Sequence, residues 1–544
     1  MKILVIGGGA SGAAFSARLR RLDENAEIII FEKGVYISYA TCGLPYYAGD
    51  IIKEKENLIM RTPRGFLDRF NIQTRLQTLV EHIYRADKKI QARNLITNET
   101  YYESYDYLFF ATGASAVIPD FLQTKKDVFP FIHAIRTIPD AETIKTKIKT
   151  GQIKKALIIG AGFIGLEMAE NLKNSGIETH IAEKTNQVLP NFDREMIEPI
   201  TKELLDNGII LHLNSEINLI EKNQNNKINI LATDYRIDNA DLIILAIGIK
   251  PEISLAQEAG LNIGKKGLIV DSHARTNDHY IFAGGDAVET NNILGESSII
   301  PLAGLAAKTA LIAAENISGI LTELKPSLGT AIIKIFNLTA AITGLNEHAL
   351  KQLDRDVEKL YLHPFDHASY YPGFNKMTLK MLFNPSNGKI YGAQIIGKTG
   401  IDKRIDIFST AIQNNLTCDD LAFIELAYAP QYGSVKDPIN IAGMVARNHI
   451  LGISPITHWD KISKEEFVLD VRTKNECLKW PVEGAVNIPL DELRGRLNEI
   501  PKNKKIIVFC QQGLRGHIAV RILTQNSFTA MNISGGYLSH PLQK

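Results

Sequence analysis

The chain has few of the features that point to a disulfide scaffold, a membrane or a nucleic acid. It contains only four cysteines in 544 residues, and their spacing suits neither a metal site nor a disulfide framework. The formal net charge of +1 gives no preference for nucleic acid or an anionic membrane surface. No apolar run approaches the ~18 residues that span a bilayer. We therefore expect a cytoplasmic, multidomain protein with no metal, membrane or nucleic-acid partner.

A glycine-rich turn follows the apolar segment that opens the chain. Residues 2–6 predict a buried strand, and Gly7, Gly9 and Gly12 follow at the spacing Gly-x-Gly-x-x-Gly before a predicted helix. Glycines there let the backbone turn tightly and approach a pyrophosphate at the helix N-terminus. Glu32 ends the next apolar segment, where a carboxylate accepts hydrogen bonds from a ribose. This region predicts a dinucleotide-binding domain of the Rossmann type.

The same pattern recurs in the middle of the chain. Gly160, Gly162 and Gly165 follow a second apolar segment, and Glu183 ends the next one. Two fingerprints predict two bound dinucleotides. A carboxylate at Glu183 accepts from a ribose 2′-hydroxyl and repels a 2′-phosphate, so NADH is favoured over NADPH. The neighbouring Lys184 weakens that discrimination.

Two further segments connect these sites to a known family. Thr112 and Gly113 follow a predicted strand, and Asp286 ends the stretch Tyr-Ile-Phe-Ala-Gly-Gly-Asp. In this order, after a first fingerprint, they resemble the flavin-binding segments of flavoprotein disulfide reductases over about residues 1–445. The resemblance implies FAD at the first fingerprint and NADH at the second, with Asp286 on the ribityl chain or pyrophosphate of FAD. It also implies cofactor contacts at Lys33, Gly248 and Ala303.

Cys42 stands alone in its part of the sequence, since the next cysteine is Cys418. It therefore has no near neighbour for a disulfide, and its oxidised form is a mixed disulfide, a persulfide or a sulfenic acid. A buried structural cysteine is the alternative. The segment Cys-Gly-Leu-Pro-Tyr-Tyr resembles the single-cysteine branch of the family, which favours a redox role. That branch contains coenzyme A (CoA) disulfide reductases, NADH oxidases, NADH peroxidases and NADH-dependent persulfide reductases.

Two tyrosines are the candidate proton donors. The oxidases and peroxidases place a histidine early in the first fingerprint helix, and residues 10–15 contain none. Residues 367–373 and 428–432 instead resemble the segments that carry a tyrosine pair in the CoA enzymes, with Tyr370 and Tyr428 at the matching positions. The resemblance implies a homodimer in which these phenols protonate a departing thiolate in the partner subunit. Tyrosines that only fill an interface are the alternative.

The resemblance also implies a binding site for CoA. Arg18, Arg21, Ser38 and Lys436 match, or lie near, positions that contact the phosphates and pantetheine arm in the family. Thr41 departs from the family pattern, in which an asparagine usually precedes the cysteine. Phe70 stands where a lysine can occur. Charges on a first helix are otherwise ordinary solvated side chains.

The last ~90 residues suffice for a separate small α/β domain. Cys510 follows a predicted strand at 505–509, four residues separate it from Arg515, and a helix is predicted at 517–523. Such a loop surrounds the sulfur with backbone N–H groups that stabilise a thiolate or persulfide. Arg515 adds positive charge or braces the loop against Asp470 or Glu476. The segment resembles a rhodanese domain, and an inactive docking module is the alternative.

Together these motifs predict an α/β protein of four domains. An FAD domain at 1–112 and 250–325 is interrupted by an NADH domain at 113–249. An α+β dimerisation domain at 326–450 and a rhodanese domain at 456–544 follow. The whole chain resembles fusions of CoA-disulfide reductase with rhodanese, also described as NADH-dependent persulfide reductases. That resemblance implies NADH-dependent reduction of a CoA persulfide, polysulfide or CoA disulfide through Cys42.

Two other interpretations remain open from the sequence. One is an NADH oxidase or peroxidase with an accessory rhodanese domain. The other is a redox-sensing protein that binds FAD and CoA and turns over slowly. The order of preference among sulfur substrates, and a sulfur relay from Cys510 to Cys42, are open as well.

Overall fold

The computed structural model describes residues 1–123, 125 and 127–540. The chain forms two compact units. The first comprises Met1–Pro190 and Leu204–Gly329. The second comprises Asn191–Glu203 and the chain from Thr330 onward.

The first unit contains twenty of the described strands. In chain order they are β1 (Lys2–Ile6), β2 (Glu27–Phe31), β3 (Gln73–Arg75), β4 (Thr78–Tyr84), β5 (Lys89–Asn94), β6 (Thr100–Ser104), β7 (Tyr107–Phe110), β8 (Ala114–Ala116), β9 (Ile132–His133), β10 (Lys155–Ile159), β11 (Glu178–Ala182), β12 (Ile210–His212), β13 (Ile217–Lys222), β14 (Ile228–Ala232), β15 (Arg236–Ala240), β16 (Leu242–Leu245), β17 (Ile249–Pro251), β18 (Ile281–Ala283), β19 (Thr290–Asn291) and β20 (Ser297–Ser298).

The helices up to residue 317 are α1 (Ala10–Leu22), α2 (Leu44–Ala48), α3 (Pro63–Phe70), α4 (Asp120–Gln123), α5 (Ile138–Lys149), α6 (Phe163–Asn174), α7 (Arg194–Asp206), α8 (Ser254–Glu258) and α9 (Ala303–Ile317). The division between the two units falls within α7. Short 3₁₀ helices occur at Thr41–Gly43, Lys55–Leu58 and Phe129–Phe131.

The first sheet is parallel, in the order β18-β7-β1-β2-β3. Ile3, Leu4 and Val5 of β1 are completely buried because both faces of the sheet are covered. Side chains of α1 and α9 pack on one face, and the antiparallel sheet β4-β5-β6 packs on the other. Continuous apolar strands of this kind are typical of parallel sheets.

The second sheet of this unit repeats the arrangement, in the order β12-β11-β10-β16-β9 with all pairs parallel. An antiparallel sheet, β13-β14-β15, contributes Ile220 and Ile230 to the core that covers Leu157 and Ile243. Two antiparallel pairs, β8 with β17 and β19 with β20, complete the strands. The two parallel sheets therefore place the glycine turns at the carboxyl ends of β1 and β10. Ligands bind at this edge of the sheet in such folds.

The second unit contains ten described strands: β21 (Ala331–Ile335), β22 (Leu338–Gly344), β23 (Glu358–Leu362), β24 (Thr378–Phe383), β25 (Ile390–Gly397), β26 (Ile456–Thr457), β27 (Phe467–Asp470), β28 (Val486–Asn487), β29 (Ile506–Phe509) and β30 (Ala530–Ile533). Its further helices are α10 (Glu347–Gln352), α11 (Ile401–Gln413), α12 (Cys418–Phe423), α13 (Pro438–Ile450), α14 (Lys474–Lys479), α15 (Leu490–Leu493) and α16 (Leu514–Gln525), with 3₁₀ helices at Trp459–Lys461, Leu497–Glu499 and Gly536–Ser539.

Its two sheets differ in direction. The sheet β21-β22-β25-β24-β23 is antiparallel, with α11 packed against β22 and β25. The sheet β26-β30-β29-β27-β28 is parallel, and α16 contacts β29 and β30. The predicted α/β class is thus confirmed, with two parallel nucleotide-type sheets, an α+β part and a C-terminal parallel sheet.

The last predicted helix differs from the observed one at its start. The structure begins α16 at Leu514 rather than 517, so Arg515 lies in the first helical turn. Gly513, at a φ of +104°, permits this early start, because the chain turns there in a conformation that favours glycine. In the same C-terminal sheet, β27 ends at Asp470, whose carboxylate accepts hydrogen bonds from the backbone and guanidinium of Arg472.

A buried ion cluster lies in the second unit. The Lys380 ammonium, with no exposed surface, contacts carboxylate oxygens of Asp193 (2.7 Å), Glu195 and Glu347 (2.8 Å). These three acids are close enough to share a metal ion, but the ammonium of Lys380 already lies among them. We interpret the cluster as a structural ion pair network, because all three carboxylates contact Lys380 and Glu347 also pairs with Lys351 and Lys359.

Candidate active site

The first glycine turn is shaped by close backbone contacts. Gly7 has a φ of +102°, and a Cβ there would lie 2.2 Å from the carbonyl oxygen of Ala111. A Cβ at Gly12 would lie 1.9 Å from the carbonyl oxygen of Gly7. A Cβ at Gly9, by contrast, would meet no atom within 4 Å. Two glycines are therefore needed for the turn itself, and the open side at Gly9 leaves room for a pyrophosphate at the start of α1.

Glu32 is held at the tip of β2 by two backbone donors. Its Oε2 accepts from Gly8 N at 2.8 Å, and its Oε1 accepts from Gly34 N at 2.7 Å. Each carboxylate oxygen keeps a second lone pair for a ribose hydroxyl. The side chain of Lys33 is exposed beside it.

Other groups near this turn suit a flavin nucleotide. The hydroxyl of Ser11, in the first turn of α1, is buried and has no hydrogen-bond partner. Burial raises the pKa of Asp286, and Arg136 lies 3.6 Å from its carboxylate. Thr112 donates to the carbonyl of Glu252, and Gly113 has a positive φ with open space beside it. An unpartnered hydroxyl and an open cradle are features that a bound FAD would satisfy.

The second glycine turn repeats this geometry closely. Gly160 also has a φ of +102°, and a Cβ there would lie 2.4 Å from the carbonyl oxygen of Ala246. Gly165 approaches the Gly160 carbonyl in the same way, while Gly162 borders open space. Gly248, at a φ of +114°, borders open space as well. This cradle therefore accommodates a second dinucleotide at the start of α6.

Glu183 is anchored like Glu32. It accepts from Ala161 N and Thr185 N at 2.9 Å each, and also from the Thr185 hydroxyl. Lys184, which the sequence placed next to this acid, pairs with Glu216 at 3.1 Å on the surface. Its ammonium is therefore directed at another acid rather than at Glu183.

Cys42 is exposed and forms no disulfide. It lies in the 3₁₀ turn Thr41–Gly43, immediately before α2 begins at Leu44. Tyr46 follows one helical turn later, and its hydroxyl donates to Glu167 Oε1 at 3.2 Å. The thiol is therefore accessible to a substrate, and a half-buried polar pair lies in the helix that follows and its contact with α6.

The pair of Tyr46 and Glu167 was missed by sequence reasoning. Burial, more than any nearby charge, raises the pKa of Glu167 to about 7. Burial, with the charge of Glu167 second, raises the pKa of the Tyr46 phenol above its ordinary range. Glu167 is a member of α6, two residues after Gly165, so the pair links the helix of the second cradle to the helix after Cys42. A carboxyl that titrates near neutral pH is a feature typical of functional sites.

Tyr370 and Tyr428 are brought together in the second unit. Their hydroxyl oxygens lie 2.6 Å apart, and the side chains expose 74% and 43% of their surface. The hydrogen bond to Tyr370 raises the pKa of Tyr428. Exposed tyrosines with a shared proton can donate to an external group, so the pair suits protonation of a ligand that approaches this surface.

The four residues predicted to contact CoA lie in different environments. Arg18 forms an ion pair with Glu315 at 2.6 Å, while its Nε is buried without a partner. Arg21 and Lys436 are exposed. Ser38 is 8% exposed, and its backbone N–H donates to the carbonyl of Gly8. Ala303, a predicted cofactor contact, begins α9.

The loop after Cys510 brings a backbone donor and an arginine to its sulfur. Gly513 N lies 3.1 Å from Cys510 Sγ. Arg515 donates two hydrogen bonds of 2.7 Å to the two oxygens of Glu476 and lowers the pKa of that carboxyl to about 2. Asp470, the other candidate partner, is instead bound by Arg472. The ion pair with Glu476 thus holds Arg515 beside the nearly buried sulfur of Cys510.

The remaining cysteines differ from these two. Cys418 is fully buried, and burial raises the pKa of its thiol to about 12. Burial also raises the pKa of Cys477. A neutral thiol is a poor nucleophile, so both cysteines suit a structural role.

Three family models match successive parts of the chain. Pyridine nucleotide-disulphide oxidoreductase matches residues 1–310. The dimerisation domain of the same family matches residues 330–437. A rhodanese-like domain matches residues 454–539.

Individual relatives agree with these matches. Coenzyme A disulfide reductase of Staphylococcus epidermidis is 34% identical over 449 residues, which cover 82% of this chain and all of that protein. The crystal structure of reduced Bacillus anthracis CoADR-RHD is 40% identical with a TM-score of 0.95, covering 98% of this chain and 97% of that one. An NAD-dependent persulfide reductase from A. fulgidus is 35% identical with a TM-score of 0.90, covering 99% of both chains.

A more distant likeness concerns the fold alone. A water-forming NADH oxidase from Lactobacillus brevis, solved with NADH bound, is 22% identical with a TM-score of 0.78. The match covers 83% of this chain and 99% of that one.

Proposed function

Because the chain belongs to the pyridine nucleotide-disulphide oxidoreductase family, we propose that it uses NADH to reduce CoA persulfide, polysulfide or CoA disulfide through Cys42. The observation that carries the proposal is an exposed, unpaired Cys42 in a unit that also contains two dinucleotide cradles. The relatives named for a CoA disulfide and for a persulfide support this choice of substrate.

The two cradles assign the cofactors. Gly7, Gly9, Gly12, Glu32 and Asp286 would hold FAD. Gly160, Gly162, Gly165 and Glu183 would hold NADH. FAD, when bound, passes the two electrons of NADH to the sulfur of Cys42. NADH is preferred to NADPH because Glu183 repels a 2′-phosphate and Lys184 is paired with Glu216.

The first chemical step on sulfur belongs to Cys42. With CoA disulfide or CoA persulfide, its thiolate attacks the sulfur that carries CoA, the sulfur–sulfur bond breaks, and a Cys42–CoA mixed disulfide forms while CoA thiolate or hydrosulfide leaves. With an inorganic polysulfide, the same attack leaves a persulfide on Cys42 and releases a shorter polysulfide. The two electrons from NADH then break the mixed disulfide and return Cys42 to the thiolate with release of CoA. For CoA disulfide the balance is one NADH and one proton consumed for two CoA thiols formed.

The departing thiolate needs a proton, and we assign its donor to Tyr370 and Tyr428. Their exposed hydroxyls share a hydrogen bond, so loss of one proton from the pair leaves the remaining proton between two oxygens. The match to the family's dimerisation domain supports a homodimer, in which the pair serves the Cys42 of the partner subunit. The proposed CoA contacts Arg18, Arg21, Ser38 and Lys436 would bind the phosphates and pantetheine arm.

The C-terminal domain would supply sulfane sulfur. In this proposal the Cys510 thiolate takes sulfur from a donor to form a persulfide, and a CoA thiolate accepts that sulfur as CoA persulfide. The N–H of Gly513 and the charge of Arg515 support the role, because both stabilise an anionic sulfur in the loop.

The proposed cellular location is the cytoplasm, since all four cysteines are free thiols. Among the described residues, the structure contains no helix long and apolar enough to cross a membrane.

The test is anaerobic NADH oxidation with CoA disulfide, CoA persulfide and inorganic polysulfide as separate acceptors. Wild-type enzyme should consume NADH with these acceptors, and Cys42→Ser should abolish that consumption. Cys510→Ser should lose turnover with a sulfane sulfur donor plus CoA and retain turnover with CoA disulfide. NADH consumption that requires oxygen and survives Cys42→Ser would instead identify an oxidase.

A further inference from the structure

Arg404 is a completely buried arginine in the domain that carries the tyrosine pair. It belongs to α11 and exposes 1% of its surface. Its guanidinium donates to the carbonyl oxygens of Gly400 at 3.0 Å and Asp366 at 2.9 Å, and to the Asp437 carboxylate at 3.0 Å. One side chain therefore holds three acceptors from different places in the chain.

The first acceptor segment carries Tyr370. Asp366 precedes Tyr370 by four residues, and its carboxylate organises the loop that follows. It accepts from the backbone N–H of Asn375 at 2.9 Å and from the Thr399 hydroxyl, and His367 Nδ1 lies 2.9 Å from its Oδ1. The loop from 366 to 375 is thus closed at its base, with Tyr370 at the exposed end.

The second acceptor segment carries Tyr428. It ends at Asp437, which is 3% exposed and caps α13 by accepting from the N–H of Ile439 at 3.1 Å. Arg404 binds this carboxylate through both Nε and Nη2. Lys436, a proposed CoA contact, is the residue immediately before Asp437.

Besides the hydrogen bond between the two tyrosines, the two segments touch through a long backbone hydrogen bond. The N–H of Ala368 donates to the carbonyl of Pro430 at 3.3 Å. The tyrosine rings are exposed, so packing does little to fix their relative position. The separation of the two hydroxyls therefore depends on the backbones of the two segments.

We propose that Arg404 is a positioning residue that sets the geometry of the Tyr370–Tyr428 pair. Its planar guanidinium, here called the fork, holds Asp366 and Asp437 in fixed positions. The assignment rests on the proposed function of that pair. A guanidinium suits this site because its donors are fixed in one plane and spread over three nitrogen atoms, so that Nε and Nη2 bind Asp437 while Nη1 binds Gly400, whereas an ammonium presents its donors from a single nitrogen. A displacement of about 1 Å at a proton donor can reduce a rate about 100-fold.

The matched variants are Arg404→Lys and Arg447→Lys. Lysine at 404 keeps the charge beside Asp437 and loses the fork. Arg447 pairs with Asp419 in an exposed ion pair between α12 and α13, so its replacement controls for a lost arginine in the same domain. Both are compared with wild type as FAD-loaded enzyme in two anaerobic half-reactions: flavin bleaching by NADH, and recovery of the flavin colour with CoA disulfide.

We expect Arg404→Lys to slow recovery with CoA disulfide by about tenfold or more while bleaching by NADH changes by less than about twofold. Arg447→Lys should leave both rates unchanged. The double variant with Tyr370→Phe should recover no more slowly than Tyr370→Phe alone, because Arg404 acts through the tyrosines. If Arg404→Lys does not yield folded enzyme, Asp437→Asn removes the charged partner of the same fork and should give the same selective loss.

Three results would overturn the assignment. They are equal slowing of both half-reactions, unchanged recovery in the folded variants, and losses that multiply in the double variant. Wild-type enzyme that does not recover with CoA disulfide would overturn the proposed function itself. Recovery in wild type that is matched by the folded variants would overturn only the role of Arg404.

Discussion

Replacement of Glu476 by glutamine tests how the Cys510 loop is held. In the wild type, two hydrogen bonds of 2.7 Å join the Glu476 carboxylate to the Arg515 guanidinium, which lies beside Cys510. Glutamine is nearly the same size, but it offers one neutral acceptor and turns an N–H₂ group toward another donor. The substitution therefore removes the charge and one of the two bonds while leaving the volume almost unchanged.

The magnitude follows from the geometry. Loss of a charge-assisted hydrogen bond costs about 1.5–3 kcal/mol. The side chains of Arg515 and Glu476 are 31% and 27% exposed, so solvent screening reduces this to about 1–2 kcal/mol. If Arg515 stabilises the anionic sulfur of Cys510, sulfur transfer should fall about 5- to 30-fold.

The assay is sulfur transfer from thiosulfate to cyanide, with NADH reduction of CoA disulfide measured in parallel. Glu499→Gln is the matched control, because Glu499 makes the same two-pronged pair with Arg496 on the surface of the same domain. The Glu476 variant should lose sulfur transfer alone, and the Glu499 variant should lose neither activity. Equal losses in both variants, or none in Glu476→Gln, would refute the reasoning.

The pH dependence of this ion pair has a defined sign. Arg515 lowers the pKa of Glu476 from its ordinary value of 4.5 to about 2. The carboxylate is favoured in the folded state, so the contribution to stability is complete above about pH 4.5 and is lost as the pH falls toward about 2. Activity assays near neutral pH therefore measure the intact pair.

Four other substitutions test separate parts of the structure. Glu183→Ser should raise NADPH use relative to NADH by about tenfold or more in kcat/KM, since near-surface repulsion of unit charges amounts to about 1–4 kcal/mol. Lys380→Met should lower the free energy of unfolding in urea by about 3–5 kcal/mol, because three carboxylates lose their shared cation. Lys351→Met, which removes an exposed partner of the same cluster, should cost less than about 1 kcal/mol. Burial raises the pKa of Glu167 from 4.5 to about 7, so wild type loses stability as the pH rises between these values. The thermal unfolding temperature of Glu167→Gln should not show that fall over the same pH range. Wild-type and variant unfolding temperatures that change in parallel with pH would contradict this expectation.

The dinucleotide cradles were predictable because local spacing determines them. The turn at Gly7 and the turn at Gly160 have the same φ and the same close carbonyl contact, although 153 positions separate them. Both depend on which residues lack a Cβ, and that information is local. The family and fold class predicted from these motifs are confirmed by the match over residues 1–310.

The partners of buried charges were not predictable in the same way. Either Asp470 or Glu476 could have braced Arg515, and only the folded chain shows that Arg472 already uses Asp470. Glu167 reads as an ordinary helix residue, since its burial depends on α2, which packs against α6 from a distant part of the sequence. Long-range packing, rather than any local pattern, produces its raised pKa.

Arg404 illustrates the same limit. Its neighbours in the sequence have the pattern of an amphipathic helix. No local motif predicts that its side chain binds three acceptors from separate segments. The roles proposed for Tyr370, Tyr428 and Cys42 remain predictions that the geometry supports. Testing these roles requires activity measurements on the enzyme and its variants.

The most direct test of electron delivery through Cys42 is the intact mass of the FAD-loaded protein after one equivalent of CoA disulfide, before and after NADH. We predict the gain of a single CoA, located on the peptide that contains Cys42, and its complete removal by NADH without oxygen. An adduct on another cysteine, no adduct at all, or an adduct that NADH leaves in place would contradict it.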